Sequence, residues 1–457
     1  MTISHLALPA SFLSDAETQN ASVESSAERA CELAKQLENK GLYEAARRAL
    51  DARWPHSAER PQLTQLAPEI AGELLLRAGV ITGALAGRTQ LQGAQEAAKN
   101  LISESLSVFQ SLNNHQKIEE VQVELALCYW RTGEVNEARV LLEETLSRLK
   151  GDSDVRCRAI VRLAIVEYEE SRLNEALGLL TTNSSLFQKI DNDTLRGSYH
   201  STLGNVLEGL WEKKQRSDYL DRALIEYTAA SYHFEKVEHR FYLAHVQNNL
   251  GFLYFKINCC QEALDHLDYA RRVLESIGDI TTIAGVDETR AGVLLKQGRD
   301  AEAELAARAS VETLEKTDRH ALLAESLVTH GRTLARLGNY NASLSAFQRA
   351  ISLSQLTGSV NKASEAALAA FQEIGDNLSV NETEKVVPGR TLNDEIQSYE
   401  QQLIKRALEE AQGSVTHAAR NLGISYQALG YMLETRHRAL MTERTPPRRR
   451  LRRILTK

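Results

Sequence analysis

The chain has 457 residues, of which 43% are hydrophobic and 25% are charged, and its formal net charge is −7. These proportions are ordinary for a soluble folded protein. No run approaches the roughly 18 apolar residues of a membrane span, and the first residues lack the regions of a signal peptide. We therefore predict a soluble, cytoplasmic protein without a membrane partner.

Proline and cysteine narrow the fold class. Only 7 prolines occur, and none lies between Pro68 and Pro388. Because proline breaks helix interiors, this gap favours continuous helix, and we predict an all-α fold. The 5 cysteines show no CxxC spacing and no neighbouring histidine pattern for zinc. They are interpreted as reduced, buried and structural, and no metal site is predicted.

After an N-terminal segment, residues 1–24, that is predicted to be flexible, one pattern recurs through residues 25–376. A small residue lies in a first helix, a glycine, asparagine or serine follows, and a second helix contains Glu-Ala or a similar pair. The small residues are 38, 40, 47, 40 and 40 positions apart, and they are Ala126, Ala164, Gly204, Gly251, Ala291 and Gly331. A fixed period of this size predicts a helical solenoid.

The spacing within each unit has a physical reason. A small residue at the anchor and another at position +12 allow the two helices of a unit to touch, and the residue at +7 ends the first helix. Together with positions +3, +16 and +19, this pattern resembles the tetratricopeptide repeat in a form of about 40 residues. Residues 78–105 are interpreted as a degenerate repeat and residues 364–374 as a closing helix. An unrepetitive helical bundle is the alternative.

Stacked helical hairpins form a concave groove that commonly binds a peptide or partner protein. Residues 211–255 contain 10 of the 26 aromatic side chains of the chain. On the helix face expected to line the groove, the candidates for binding a protein or peptide are His245, Asn248, Phe252 and Phe255. The alternative is a thicker core around the 47-residue unit.

Catalytic patterns are not found in the sequence. There is no phosphate-binding glycine loop, no HExxH and no GxSxG. The twelve histidines are scattered along the chain. We therefore predict no catalytic residue and no cofactor, and a protein that is not an enzyme.

A polar linker, residues 377–390, precedes a small domain predicted at residues 391–436. An apolar stripe predicts its first helix, which Gly413 ends. Ala418 and Ala419 let a short second helix approach closely, Gly423 turns the chain, and Ser425 is placed to cap a third helix. Two short helices joined by a tight turn form the helix-turn-helix unit, whose second helix enters the DNA major groove.

The order Gly–polar–x–x–x–Ala-Ala–x–x–Leu-Gly-Ile from Gly413 to Ile424 resembles the Fis-type DNA-binding domain of bacterial regulators. This resemblance implies double-stranded DNA as a partner, with Thr416 and His417 on phosphate. It also places Ser425, Tyr426, Gln427 and Tyr431 toward the major groove. Because Fis-type domains pair through their first helices, it further implies a homodimer face of Leu403, Ile404 and Leu408. An ordinary helical hairpin is the alternative.

The third helix has no arginine or lysine, and positive charge follows it instead. Residues 436–457 contain eight arginines, one lysine and one glutamate, a net +8, so the preceding residues carry −15. We interpret residues 437–457 as a basic tail that contacts DNA phosphates. The arginines assigned to this role, including one just before the tail, are Arg436, Arg438, Arg448, Arg449, Arg450, Arg452 and Arg453. The alternative is a tail that only aids solubility.

The sequence therefore predicts a sequence-specific, DNA-binding transcriptional regulator whose repeats bind a partner protein, peptide or signal. A different class stays open: a protein-interaction scaffold whose helix-turn-helix binds DNA weakly or not at all. The charge asymmetry also motivates the hypothesis that the acidic array masks the basic tail.

Overall fold

The computed structural model describes residues 10–55, 59–89, 93–317, 319–357 and 392–443. Every regular element in these ranges is a helix. The chain divides into two compact units, Met1–Ala370 and Phe371–Lys457. Within the described residues, no helix is both long and apolar enough to cross a membrane.

The first unit is a succession of helices in which consecutive elements pack side by side. The helices are α1 (Ala10–Asn39), α2 (Tyr43–Ala49), α3 (Pro68–Thr89), α4 (Ala94–Ser111), α5 (His115–Arg131), α6 (Val135–Arg148), α7 (Asp154–Glu169), α8 (Leu173–Thr182), α9 (Ser184–Lys189), α10 (Asp193–Lys214), α11 (Ser217–Lys236), α12 (Arg240–Lys256), α13 (Cys260–Ile277), α14 (Ile280–Lys296), α15 (Asp300–Leu314), α16 (His320–Arg336) and α17 (Tyr340–Thr357). Residues 78–105 fall in the hairpin of α3 and α4, whereas the predicted closing helix 364–374 lies outside the described residues.

The small residues of the repeat lie where the two helices of a hairpin touch, which confirms the predicted packing. A Cβ built on Gly204 would approach the Tyr227 ring to 2.6 Å. The same construction on Gly331 meets the Phe347 ring at 2.6 Å. The residues at position +12 are fully buried in five of the six units, where they are Ala138, Ala176, Ala263, Ala303 and Ser343. In the unit of Gly204 this position is Arg216, which is exposed.

The position seven residues after each small anchor ends the first helix, as predicted. Five of these residues adopt positive φ, and they are Gly133, Ser171, Asn258, Gly298 and Gly338. A left-handed residue at this point directs the chain away from the helix axis. The exception is the unit of Gly204, where α10 continues and the left-handed residue is Gln215, with φ 55°.

Two departures from a uniform array have local causes. The insertion in the 47-residue unit lengthens α10 and α11 to 22 and 20 residues instead of forming a loop. The first helix begins at Ala10, inside the segment 1–24 that the sequence predicted to be flexible. Between Ala10 and Asn39 there is no glycine or proline to interrupt it.

The described part of the second unit, residues 392–443, contains three helices, α18 (Leu392–Glu410), α19 (Val415–Asn421) and α20 (Tyr426–Thr435), and then a 3₁₀ segment, Arg438–Glu443. Their core is formed by Ile404, Ala407, Leu408, Ala418, Ala419, Leu429, Leu433 and Leu440. Because Leu440 is 4% exposed, the folded core continues past the predicted boundary at residue 436.

Candidate DNA-binding surface and repeat cavity

Backbone capping fixes the crossing of α19 and α20. Gly413 has φ 79°, and its N–H donates to the carbonyl of Leu408 at 2.8 Å, which closes the end of α18. The hydroxyl of Ser414 lies 3.5 Å from the N–H of His417 at the start of α19. The hydroxyl of Ser425 accepts from the N–H of Ala428 at 3.1 Å, which confirms Ser425 as the cap of α20.

Small side chains bring the two short helices together. Ala418 is fully buried and Ala419 is 2% exposed. On the other helix, Leu429 and Leu433 are both fully buried against them. With this face of α20 in the domain core, its opposite face is left at the surface.

The residues assigned to DNA contact are exposed wherever the structure describes them. Tyr426 is 58% exposed and Tyr431 is 65% exposed, although both are large side chains. The other exposed members of the set are Thr416, His417, Ser425, Gln427, Arg436 and Arg438. Arg448, Arg449, Arg450, Arg452 and Arg453 lie outside the described residues. An exposed helix face with two tyrosines and a glutamine can stack on bases and donate to base edges.

Two basic residues follow α20, and each is fixed by a contact within the domain. Arg438 donates from Nε to the carbonyl of Glu434 at 2.7 Å. Arg436 forms an ion pair with Glu400 at 3.5 Å. Because α20 contains no arginine or lysine, positive charge lies beside this helix and not along it.

The predicted dimer face requires a correction. Ile404 is 2% exposed and Leu408 is fully buried in the core of the domain itself. Only Leu403 of the three is exposed, at 42%. An apolar stripe on a helix can equally face its own domain, and here α18 uses that stripe to hold α19 and α20.

His437 belongs to the segment predicted to be a basic tail, but it is buried in the folded domain. Its side chain is 3% exposed, and Nε2 lies 2.8 Å from the carboxylate of Glu400. This contact joins the end of the domain to α18. A histidine one residue after an exposed arginine gives no sequence signal of burial.

In the first unit, the inner faces of several helices line an open cavity of about 490 Å³, which we call the repeat cavity. Its wall is formed by residues of α1, α2, α3, α5, α7, α10, α11 and α12 and by Asn192 and His239, which lie just before helices. The volume lies in the range of about 300–1,000 Å³ that is typical of sites for small ligands.

One part of the wall is charged. Arg77 is 2% exposed and forms ion pairs with Glu38 at 2.6 Å, Glu73 at 3.0 Å and Glu120 at 3.2 Å. Burial opposes the charge of Arg77, but the three carboxylates outweigh it and raise the pKa of this guanidinium. Nearby, Glu124 is held by Arg162 at 2.7 Å and by Arg158 at 3.1 Å.

Burial and charge act in opposite directions on the carboxylates of this network. Burial raises the pKa of Glu38 to about 7, although Arg77 opposes the shift. Burial also opposes ionisation of Glu124, but Arg162 and Arg158 outweigh it, and the pKa of Glu124 falls to about 2. Glu124, which faces two arginines, stays charged, whereas Glu38, whose only ion pair among the described residues is with an arginine that also binds two other acids, is protonated more easily.

The part of the wall on α10 and α12 is neutral. Nδ2 of Asn249 donates to Oδ1 of Asn205 at 3.1 Å. The hydroxyl of Tyr227 lies 2.7 Å from the same oxygen and 2.7 Å from Oε2 of Glu208. Further polar and aromatic side chains on this part of the wall are Ser198, Ser201, Thr202, Phe241, Tyr242 and His245.

The turn between α1 and α2, residues 39–43, packs against helices far along the chain, and we call it the closing turn. Oγ1 of Thr194 donates to the carbonyl of Asn39 at 2.9 Å. The backbone of Gly41 abuts the imidazole of His239, which is 1% exposed. That imidazole stacks on Tyr242 with ring centroids 4.1 Å apart. The first hairpin therefore contacts the beginnings of α10 and α12.

Of the four residues predicted to line a groove, the structure brings His245 to the repeat cavity. Phe252 instead lies beneath Lys256, with 4.5 Å between the ammonium and the ring centroid, and Phe255 lies beneath Lys296 at 5.2 Å. Oδ1 of Asn248 is buried without a hydrogen-bond partner among the described residues. The neighbour of Asn248, Asn249, lines the cavity.

Sequence reasoning missed most of the cavity wall, although a periodic signal marks it. The position two residues before the small anchor lines the cavity in four consecutive units, where it is occupied by Glu124, Arg162, Thr202 and Asn249. This position varies in chemistry, unlike the anchors. A comparison of the repeats would find this position as the inward-facing one whose residue type differs most from unit to unit.

Fold and surface together define the class of the protein. It is an all-α chain with a tetratricopeptide-like helical array, followed by a small helix-turn-helix domain. Residues 396–434 match the family described as "Bacterial regulatory protein, Fis family". The chain thus carries a Fis-family domain near its C-terminus. Comparison with curated protein sequences found no match.

Three solved structures are similar to the array to different degrees. The Rap protein complexed with competence and sporulation factor is 13% identical, with 78% of this chain and 97% of that chain covered and a TM-score of 0.50. The apo form of the quorum sensor NprR from B. thuringiensis is 13% identical, with 72% and 87% covered and a TM-score of 0.48. A STAND ATPase with a tetratricopeptide repeat sensor from Pyrococcus horikoshii is 12% identical, with 76% and 55% covered and a TM-score of 0.47.

Proposed function

We propose that this protein is a cytoplasmic, sequence-specific DNA-binding transcriptional regulator whose helical array binds a partner protein, peptide or signal. The exposed face of α20 supports this proposal most directly. It presents Tyr426, Gln427 and Tyr431 on a helix that Ser425 caps. This helix packs in one core with α18 and α19, the two preceding helices of the region that matches the Fis family. A helix held in this way can enter a major groove without moving.

Each contact has a proposed role. Thr416 and His417, at the start of α19, contact phosphate, and Gln427 pairs with an adenine edge. Tyr426 and Tyr431 supply hydroxyls and stacking surface. The basic residues from Arg436 onward contribute affinity that depends on salt but not on sequence. No catalytic step is included in the proposal.

The array is proposed to carry the sensing role because it contains a cavity of ligand size with both charged and amide side chains on its wall. One solved structure of similar fold is described as a Rap protein complexed with competence and sporulation factor. We therefore include a signal molecule among the candidate ligands, beside a partner protein or peptide.

The experiment is fluorescence anisotropy with random duplex DNA over a salt series. The full chain is compared with a chain ending at residue 443, which keeps the folded core but lacks the distal arginines. We expect the log–log salt slope of the full chain to be several units and that of the shortened chain to be smaller. Absence of binding by the full chain at low salt would contradict the proposal.

A second candidate function is a protein-interaction scaffold with little DNA affinity. The observation in its favour is that α20 contains no arginine or lysine. A scaffold would bind its protein partner equally well when residues 391–457 are removed, and it would show no salt-dependent DNA affinity.

A further inference from the structure

The last turn of α20 contains the one charged side chain of that helix, Glu434. Counted at about 100° per residue, Glu434 lies on the same side of α20 as Gln427 and Tyr431. The buried residues Leu429 and Leu433 lie on the opposite side, in the domain core. Glu434 is exposed, and it therefore projects from the face that the proposed function presents to DNA.

No basic side chain neutralises Glu434 in the described part of the second unit, where the ion pairs join other residues. The two arginines that follow α20 are held elsewhere. Arg436 lies 3.5 Å from the carboxylate of Glu400. Arg438 donates from Nε at 2.7 Å to the backbone carbonyl of Glu434 and not to its carboxylate. The negative charge of Glu434 is therefore directed at whatever approaches this face.

The stability of α20 does not account for an acid at this position. The carboxyl end of a helix carries partial negative charge, so a basic residue is favourable in the last turn and an acidic one is unfavourable. The last turn of α20 contains Glu434 and no basic residue. Because the carboxylate also makes no ion pair among the described residues, its effect lies in binding and not in folding.

The position of Glu434 along α20 decides which part of DNA it meets. In helix-turn-helix proteins the N-terminal residues of the second helix contact base edges. Glu434 follows Gln427 by about 10 Å along the helix axis, at 1.5 Å per residue. The major groove is about 12 Å wide. With Gln427 on a base edge, Glu434 lies at the phosphates along the edge of the groove, where two negative charges repel each other.

We propose that Glu434 weakens the binding of α20 to every DNA sequence alike, by repelling the phosphates at the edge of the groove. Tight binding then requires the base contacts of Gln427 and Tyr431 together with the basic residues that follow α20, because α20 itself attracts no phosphate. A uniform loss of affinity also lowers the amount of protein held on non-target DNA. This inference rests on the DNA binding proposed above, and it adds a residue that opposes binding.

The binding test uses the full chain and two probes: a pool of random duplexes, and the duplexes recovered from that pool by repeated selection on the parent protein. Fluorescence anisotropy gives the affinity for each pool over a salt series. We expect Glu434→Gln to bind both pools about two- to fivefold more tightly at low salt, and the gain should shrink as salt screens the repulsion. Glu434→Lys should bind more tightly still, and its log–log salt slope should steepen by about 1, as one added phosphate contact requires.

Two further variants control for net charge and for side-chain shape. Glu409→Gln makes the same change of net charge at an exposed position of α18, and it should leave both affinities unchanged. Glu434→Asp keeps the negative charge at the end of α20 and should retain the affinities of the parent protein. Thermal unfolding shows that each variant is folded, and Glu434→Gln should lose no stability because it removes an unfavourable charge from the last turn.

Unchanged affinity of Glu434→Gln for both pools would overturn the proposal, because the carboxylate would then lie away from the phosphates. An equal gain in Glu409→Gln would overturn it too, since net charge and not position would explain the effect. Weaker binding of the selected pool by Glu434→Gln would replace repulsion by readout of a base donor, such as the amino group of cytosine. If the parent protein bound neither pool at low salt, the proposed DNA-binding function itself would fail, which is a different result from a parent that binds and a variant that matches it.

Discussion

Gly41 and His239 are in direct contact across the array, so closely that a Cβ built on Gly41 would lie 2.5 Å from Cε1 of the imidazole. Gly41 also has φ +69°, which disfavours any other residue. This contact fixes the closing turn against the beginning of α12. Residues separated by about two hundred positions in sequence thereby hold one cavity together.

The first prediction concerns this contact. Gly41→Ala should destabilise the array by about 1–3 kcal/mol, because His239 is buried and cannot move away freely. We also expect a larger radius of gyration in small-angle X-ray scattering, because the first hairpin would separate from α12. Gly151→Ala is the matched control, with φ +79° but open space around its Cβ. If both variants behave alike, backbone strain and not the His239 contact explains the loss.

The second prediction concerns the buried guanidinium of Arg77. Arg77→Ala leaves Glu38, Glu73 and Glu120 close together without their shared cation. Removing one member of a buried ion pair costs about 3–5 kcal/mol, and we expect a loss of this size in urea denaturation. Arg299→Ala, which breaks only exposed contacts with Glu302 and Gln297, should cause no measurable change. A loss of equal size in both variants would contradict the importance of burial.

The third prediction concerns pH. Burial raises the pKa of Glu38 to about 7, and it raises that of Glu208 to about 7 against the hydrogen bond from Tyr227. Both values lie above the ordinary value near 4.5. At these two carboxyls the folded protein therefore binds more protons than the unfolded chain, and their contribution to stability falls as pH rises from about 4.5 through about 7.

This pH slope is checked by urea denaturation across the same interval. Relative to the parent protein, the double variant Glu38→Gln with Glu208→Gln should lose the fall in stability that these two carboxyls cause, because neither amide titrates. Glu96→Gln, on the surface of α4, should retain it. A slope that survives in the double variant would assign the pH dependence to other groups.

The fourth prediction compares two glycines within helices of the array. Gly204→Ala forces a Cβ to within 2.6 Å of the Tyr227 ring and should destabilise the array by about 1–3 kcal/mol. Gly285→Ala meets nothing within 4 Å in α14 and should stabilise it by about 0.5–1 kcal/mol. Thermal unfolding of both variants gives the two signs directly. Two changes of the same sign would contradict the assignment of Gly204 to a helix contact.

The sequence predicts those helix contacts and helix ends that depend on one residue and its near neighbours in the chain. Gly204 and Gly331 mark helix contacts because any larger residue would collide with Tyr227 or Phe347. Ser425 marks a helix start because its hydroxyl bonds to an N–H only three residues away. Such requirements act within one hairpin or one turn, and a periodic pattern therefore reveals them.

Features that depend on a side chain's direction or on distant contacts were not predicted. Asn248 and Asn249 differ by one position, which is about 100° around a helix, and only Asn249 faces the cavity. The contact between Asn39 and Thr194 spans 155 positions and leaves no local signal. The apolar stripe of α18 did not show whether Ile404 faces a second copy or its own domain.

The fifth prediction concerns Gly430, within the exposed helix α20. A Cβ built there meets nothing within 4 Å, so Gly430→Ala should raise the stability of the second unit by about 1 kcal/mol through helix propensity alone. If this part of α20 approaches DNA closely, as the proposed function requires, the added methyl group should nonetheless weaken DNA binding. Anisotropy at fixed salt and thermal unfolding of the same variant separate the two effects. Ala428→Ser, on the same helix and also exposed, is the control for a small change of surface. Higher stability with unchanged DNA affinity would show that the backbone at Gly430 does not approach DNA, and the contact would then have to lie nearer the start of α20.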